Sequence, residues 1–228
     1  RRTGRLTITA AGVAIAGIPS TPLRAHLTWS PDGQTLVARA DELSVRPWHL
    51  TAPATLRWHD GLTIDHLTLQ DDHGAGLDVS GRLGGGASTD LSLRLSRLPA
   101  APICRTVWSI DCAGRADGSA RLLGHAIDAD LQVHDLAVAD LTYGTLAVQA
   151  HSRSGRVALD ATLQHPTAGT LALRGSVPQP DAPDSAPLDL RLITGHLDPA
   201  GLAALLPAHL RHVRGTVAAD LAIGGSWR

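Results

Sequence analysis

The sequence predicts an all-β protein built as a tandem repeat, with an aliphatic sheet face and one or two short helices, the sheet either closing as a sandwich or β-helix or bending into an elongated, curved sheet with a taco-like open groove. Three observations predict it. Apolar residues alternate with polar ones over strand after strand: Val157, Leu159, Ala161, Leu163; Leu171, Leu173, Val177; Leu188, Leu190, Leu192; Val217, Ala219, Leu221, Ile223. A period of two places each such set on one side of a sheet and its Arg, Asp, Thr and Ser neighbours on the other. The pattern also occurs earlier in the chain. Gly61 through Leu83 lines up with Gly155 through Val177 at a constant spacing of 94, and Leu91–Leu95 meets Leu188–Leu192 at a spacing of 97. Finally, helical periodicity is scarce while turn chemistry is frequent, as in Ser30–Gly33 and Trp58–Gly61, where Gly supplies positive φ at a chain reversal.

Internal repetition sets the organisation. The 228 residues read as one continuous β-repeat fragment, with approximate units at 41–124 and 134–225 preceded by part of another at 1–40. We count about fifteen strands, most of them 5–8 residues, the ordinary length. The chain contains no Met and stops just after a strand, so it is expected to be a piece of a longer protein.

Composition narrows the function. Net charge is −1, with 20 basic and 21 acidic residues spread evenly, so neither a nucleic-acid stripe nor a polybasic lipid-headgroup patch is expected. All the basic residues are Arg, and Lys, Asn, Phe and Met are absent, a pattern of the kind coding bias produces. Its consequence is an interior that is almost wholly aliphatic.

Taken in order, residues 6–23 carry no charge until Arg24 and formally reach the length of a membrane span. Thr7, Thr9, Gly12, Gly17, Pro19 and Pro22 interrupt them and Leu6, Ile8, Val13 and Ile15 alternate, so two strands are expected rather than an anchor or signal peptide. Strands follow at 23–29, 35–40, 43–45, 54–58 and 62–69, then 76–83 and 90–95 across a glycine loop. Cys104 and Cys112, the only cysteines, have no zinc-ligand spacing. They form either a short-loop disulfide, expected in an oxidising compartment, or two separate buried thiols. After them come strands at 120–123, 127–138 and 141–150. Asp198-Pro199 reads as a helix start ended by Pro207, and the Pro99–Ile110 segment holds the same place in the earlier unit. Pro178–Pro187 is a proline-rich loop between strands.

No constellation points to a reaction, a cofactor or a metal. His209 and His212 with His196 nearby lack a third ligand at metal spacing. Asp71, Asp72 and His73 are replaced by His165, Pro166 and Thr167 in the second unit, which makes a polar turn the better reading than an acid–base site. No GxSxG elbow, phosphate loop or dinucleotide fingerprint occurs in the sequence. The chain is therefore expected not to be an enzyme.

The runs GRVALDATL (Gly155–Leu163), TLALRGSVP (Thr170–Pro178), PLDLRLITGHLDPAGLAALLP (Pro187–Pro207) and VRGTVAADLAIGGSW (Val213–Trp227) resemble the β-rich part of the TamB family, relatives of the AsmA-like and bridge-like lipid-transfer proteins. The resemblance covers about two-thirds of the chain and departs at the Cys104–Cys112 insertion. It implies a mid-section of a periplasmic lipid conduit in a Gram-negative bacterium, carrying phospholipid acyl chains along a hydrophobic β-groove between the inner and outer membranes. The full-length protein would be anchored in the inner membrane and would meet an outer-membrane barrel of the TamA type through regions outside this stretch. The groove would be lined by Leu77, Val79, Leu91, Leu93, Leu95, Val157, Leu159, Leu163, Leu171, Leu173, Leu188, Leu190, Leu192, Val217, Leu221 and Ile223. Two other readings compete: a scaffold that assists outer-membrane β-barrel or autotransporter assembly through a sheet edge, and a purely structural stalk whose core is closed. A conduit needs the apolar face open, whereas a stalk needs it buried.

Overall fold

The structure, a computed structural model, describes residues 3–15, 18–32, 34–45, 47–84, 89–108, 111–138, 141–165, 169–179, 182–183, 186–197 and 215–226. Fifteen strands form one antiparallel sheet. They are β1 (Gly4–Ile15), β2 (Ile18–Asp32), β3 (Thr35–Val45), β4 (Trp48–Leu50), β5 (Ala54–Trp58), β6 (Leu62–Asp71), β7 (Gly76–Leu83), β8 (Asp90–Pro99), β9 (Cys112–Leu123), β10 (Ala126–Val138), β11 (Leu141–Arg153), β12 (Arg156–His165), β13 (Gly169–Pro178), β14 (Pro187–Leu197) and β15 (Val217–Ser226). Among the described residues one helix, α1 (Ala101–Trp108), lies between β8 and β9. The hydrogen-bonded order follows the chain except at β5, which pairs with β3 and β6. Most of this order comes from sequential antiparallel pairs joined by short connections, while α1 lies between β8 and β9 and residues 198–216 separate β14 from β15. The uncharged stretch near the start is the β1–β2 hairpin, in which Leu6 pairs with Leu27 and Ile8 with Ala25. The helix read over Asp198–Pro207 lies outside the described residues.

The strands are longer than the sequence suggests. All but β4, β5 and β7 run to ten residues or more. At β3 a bulge explains the difference, because one extra residue interrupts the alternation without ending the ladder. Residues 35–40 and 43–45 are one strand: its register slips at Asp41, so Ala40 pairs with Leu27 and Leu43 with Ala25, both on the same face. β4 and β5 share one track between β3 and β6, broken at Thr51-Ala52-Pro53. Proline cannot donate to a ladder, which fits a break at that point. The Thr51 N–H still donates to the Thr68 carbonyl at 3.0 Å, so the loop stays held to β6.

The chain divides into two compact units: Arg1–Leu98 with Ser119–Gly124, and Pro99–Gly118 with His125–Arg228. In the first, the register stacks apolar residues into rows, as in Leu50–Leu69–Leu77–Leu95 and Leu67–Val79–Leu93. In the second, the row Leu131–Val148–Ala161–Leu173–Leu192–Leu221 crosses six strands without a polar residue. Its neighbours are Ala129–Ala150–Leu159–Gly175–Leu190–Ile223 and Val133–Leu146–Leu163–Leu171–Thr194–Ala219.

Glycine marks one recurring junction. Gly81 (φ +125°) pairs with Leu91, and Gly175 (φ +143°) pairs with Leu190. A Cβ at either glycine would lie 2.0 Å from a backbone carbonyl oxygen, of Asp90 or Asp189, so no side chain fits there. The register therefore makes Leu91 equivalent to Leu190, not to Leu188 as the sequence spacing suggests. The slip is two residues, which leaves every side chain on its expected face.

Candidate functional site

The feature that stands out is the apolar face of each unit. In the first unit Leu77, Val79, Leu91, Leu93 and Leu95 lie on one side of the sheet through the pairs Leu77–Leu95, Val79–Leu93 and Gly81–Leu91. In the second, Val157, Leu159, Leu163, Leu171, Leu173, Leu188, Leu190, Leu192, Val217, Leu221 and Ile223 share one side, by register and by alternation within each strand. Further members of the same faces are Leu131, Val133, Leu146 and Val148 in the second unit and Leu50, Leu56, Leu62, Ile64, Leu67 and Leu69 in the first. Their signal is the same period of two, in β6 within the aligned repeat and in β4, β5, β10 and β11 outside it.

The burial of these residues carries the most information. Among the described residues, the buried apolar side chains are eight small ones, Ala25, Ala40, Ala54, Ala75, Ala100, Ala116, Cys104 and Cys112, and five larger ones, Ile64, Val133, Tyr143, Val157 and Leu197, so that Ile64, Val133 and Val157 of the apolar faces are closed to water. Leu159, Leu173, Leu190 and Leu192 are half-buried, while Leu221 is 53 % exposed and Ile223 41 %. A close-packed sandwich core takes its large aliphatic side chains out of water almost completely. Here Leu159, Leu173, Leu190, Leu192 and Leu221 keep part of their surface accessible, whereas Val133 and Val157 on the same face do not. In the first unit Leu36 and Trp58 are paired and exposed, and Leu62 pairs with both Trp58 and Leu83. Trp29 covers Gly4 on the facing strand, where a Cβ would come within 2.3 Å of the indole.

The opposite face is ionic. Asp160 pairs with Arg174 in register, and Arg174 lies beside Arg191. Like charges side by side are unfavourable, and each arginine is drawn to a carboxylate: Arg174 to Asp160 at 3.1 Å and Arg191 to Asp220 through two hydrogen bonds. Those bonds to Arg191 hold the Asp220 carboxyl below its ordinary value. In the first unit Arg121 grips Asp90 with two bonds of 3.0 Å and lowers that carboxyl likewise. Arg57–Asp65 and Arg39–Asp41 continue the pattern. These pairs are exposed and screened by water, so each contributes little to stability. Their role is to keep one face wet while the other stays greasy.

The polar groups singled out in the sequence have local tasks. The Asp71 carboxylate is buried and accepts the N–H groups of His73 at 2.8 Å and Ala75 at 2.7 Å, closing the turn between β6 and β7. That occupation leaves it a structural residue. His196 is exposed, and His209 and His212 lie outside the described residues. No group of three His, Cys, Asp or Glu able to hold a metal ion occurs among the described residues. Tyr143, the extra residue of a bulge in β11, is 2 % exposed and meets the His165 ring edge-on at 6.2 Å. Burial pushes its phenol up. No helix among the described residues is long and apolar enough to cross a membrane.

Cys104 in α1 and Cys112 at the start of β9 are joined as a disulfide, with Cα atoms 6.0 Å apart. Two further ties close the same loop: Arg105 to Asp111 at 2.7 Å, and the Ala100 N–H to the Gly114 carbonyl at 3.0 Å.

Comparison with protein-family models, curated proteins and solved structures gives no match.

Proposed function

We propose that this chain is a mid-section of a lipid conduit that carries phospholipid acyl chains along its aliphatic face and performs no chemical step. The observation that supports the reading is the half-exposed state of the large aliphatic rows, Leu173–Leu192–Leu221 and Leu159–Leu190–Ile223 above all. Apolar surface held in water costs roughly 25 cal/mol per Å². A fold that retains so much of it, in register over six strands, is suited to a partner that is itself apolar and linear. The ion pairs of Arg174 and Arg191 on the other face fit an aqueous surrounding. The disulfide fits an oxidising compartment, and the resemblance to the TamB family supplies the setting: the periplasm, with an inner-membrane anchor and a TamA-type barrel engaged through other parts of the protein. The closed-stalk reading would need the whole face buried, as Ile64, Val133 and Val157 are and the leucine rows are not.

The test is photo-crosslinking in cells. A crosslinking residue in place of Leu173 or Leu190 is expected to capture phospholipid, and one in place of Arg174 or Arg191 is expected to capture none. Equal labelling from the two faces would remove the proposal.

A further inference from the structure

The apolar face of the second unit is closed at β9, as it is at Val133 and Val157. Alternation along β9 sets Cys112, Gly114, Ala116 and Gly118 on one side, with Ala113, Arg115 and Ser119 exposed on the other. Two contacts identify the sides. Gly118 abuts Leu131, where a Cβ would lie 2.9 Å from the Leu131 Cα, and Leu131 belongs to the apolar row that ends at Leu221. Arg121 of the same strand bonds Asp90, which pairs with Arg82 on the ionic face. Ala116 therefore points to the apolar side, yet its exposure is 0 %. Cys112 beside it is also buried, as are Cys104 and Ala100 next to them in the fold.

Cys104 of α1 is itself buried and bonded to Cys112, which seats α1 against this stretch; the Arg105–Asp111 pair and the Ala100–Gly114 hydrogen bond, which continues the β8–β9 ladder just before α1, close the loop beside it. The residues beneath are small, which leaves room for a helix where the open rows carry leucine. We propose that α1 is a disulfide-held strap seated on the apolar face at β9, and that it denies acyl chains access there until the tether is released. The access step rests on the conduit reading, whereas the seating of α1 does not. The tether is opened by thiol–disulfide exchange with an external dithiol: its thiolate attacks one sulfur, the Cys104–Cys112 bond breaks, and a second attack frees two thiols while the dithiol is oxidised to its own disulfide.

The experiment places a photo-crosslinking residue at Ala116 or at Leu173 in the full chain, with Cys104 and Cys112 intact or both replaced by Ser. Vesicles of phosphatidylethanolamine and phosphatidylglycerol containing a labelled phospholipid are the probe. Hydrogen exchange over residues 112–118 is followed in the same four proteins, and in the intact chain after dithiothreitol. The expected result is background capture at 116 in the disulfide form, rising to the level at 173 in the Ser variant, with 173 labelled in both. Exchange at 112–118 should speed up on loss of the tether while exchange over 170–175 stays unchanged, which guards against general unfolding. Capture at 116 with the disulfide intact, or unchanged exchange after its loss, would overturn the strap. Accelerated exchange at 112–118 with no capture at either position would uphold the strap and sink the conduit instead.

Discussion

Ala116 and Leu173 lie on the same side of the second unit, each within an alternating strand, yet one has no contact with solvent and the other keeps part of its surface exposed. The larger and greasier residue is the more exposed. Alternation therefore reports which face a residue occupies and not whether it is buried, since Val133 and Val157 share the face of Leu173 and are buried as well. At β9 a helix is tethered over small residues; at β13 and β14 no such element is tied over the leucines among the described residues. Burial of the apolar face is local, and the physical behaviour of the two regions should differ accordingly.

The sharpest way to break that contrast is a buried charge. Ala116→Asp places a carboxylate where no water and no partner reaches it, at a cost of roughly 3–5 kcal/mol or a shift to the protonated form. Urea denaturation should show a large loss of stability. A change within a few tenths of a kcal/mol would mean that the site is wet and that α1 does not cover it.

Removing the tether comes next. Replacing both Cys104 and Cys112 by Ser should lower stability by about 2–3 kcal/mol, the chain-entropy value for so short a loop. Thiol titration of the unreduced, denatured protein should first find no free thiol. Two free thiols in exported protein would contradict the bond itself.

Backbone geometry predicts a smaller effect, of similar size in the two units. Gly81→Val and Gly175→Val each force a Cβ against a carbonyl oxygen of the next strand at a φ that L-residues rarely adopt. Each should cost about 2 kcal/mol, measured by thermal melting. Free tolerance at Gly175 alone would show that the register at Leu190 differs from the one at Leu91.

The smallest effect belongs to the ionic face. Asp220 has a folded-state pKa below its unfolded one because of Arg191. Its contribution is therefore complete above the ordinary aspartate range, near pH 4, and fades as pH falls through the lowered value. Melting temperatures of the natural chain and Asp220→Asn should converge slightly on acidification below about pH 4 and stay parallel above it. A gap that instead widened toward low pH would contradict the assigned direction.

Much of this fold is legible in the sequence. Val157–Leu163 and Leu188–Leu192 alternate cleanly because one side of each strand meets greasy neighbours and the other meets water. What the sequence hides has identifiable causes. The first half of β9, CAGRADGS, does not read as a strand because its apolar side holds only Cys, Gly and Ala, the residues that leave space for α1. β4 is three residues long and follows Pro47, too short to show a period. The bulge at Asp41 makes one strand look like two. The two-residue shift of the repeat at Leu190 preserves the pattern completely, so only hydrogen-bond register reveals it. The candidate site is half legible in the same sense: which residues share a face follows from alternation, whereas their accessibility depends on what lies over them.

The open face itself is tested by the counterpart of the Ala116 substitution. Leu190→Asp, combined with Leu221→Asp, puts carboxylates on the apolar face at positions water still reaches, so the loss of stability should stay within about 1 kcal/mol, far below the cost of an unpaired buried charge. Cooperative melting and phospholipid supply to the outer membrane are measured on the same double variant in the full-length protein. An open face should leave a soluble, cooperatively melting protein that no longer supports lipid supply. Loss of soluble protein would place these leucines in a closed core, and normal supply from a folded variant would show that acyl chains do not travel along this face.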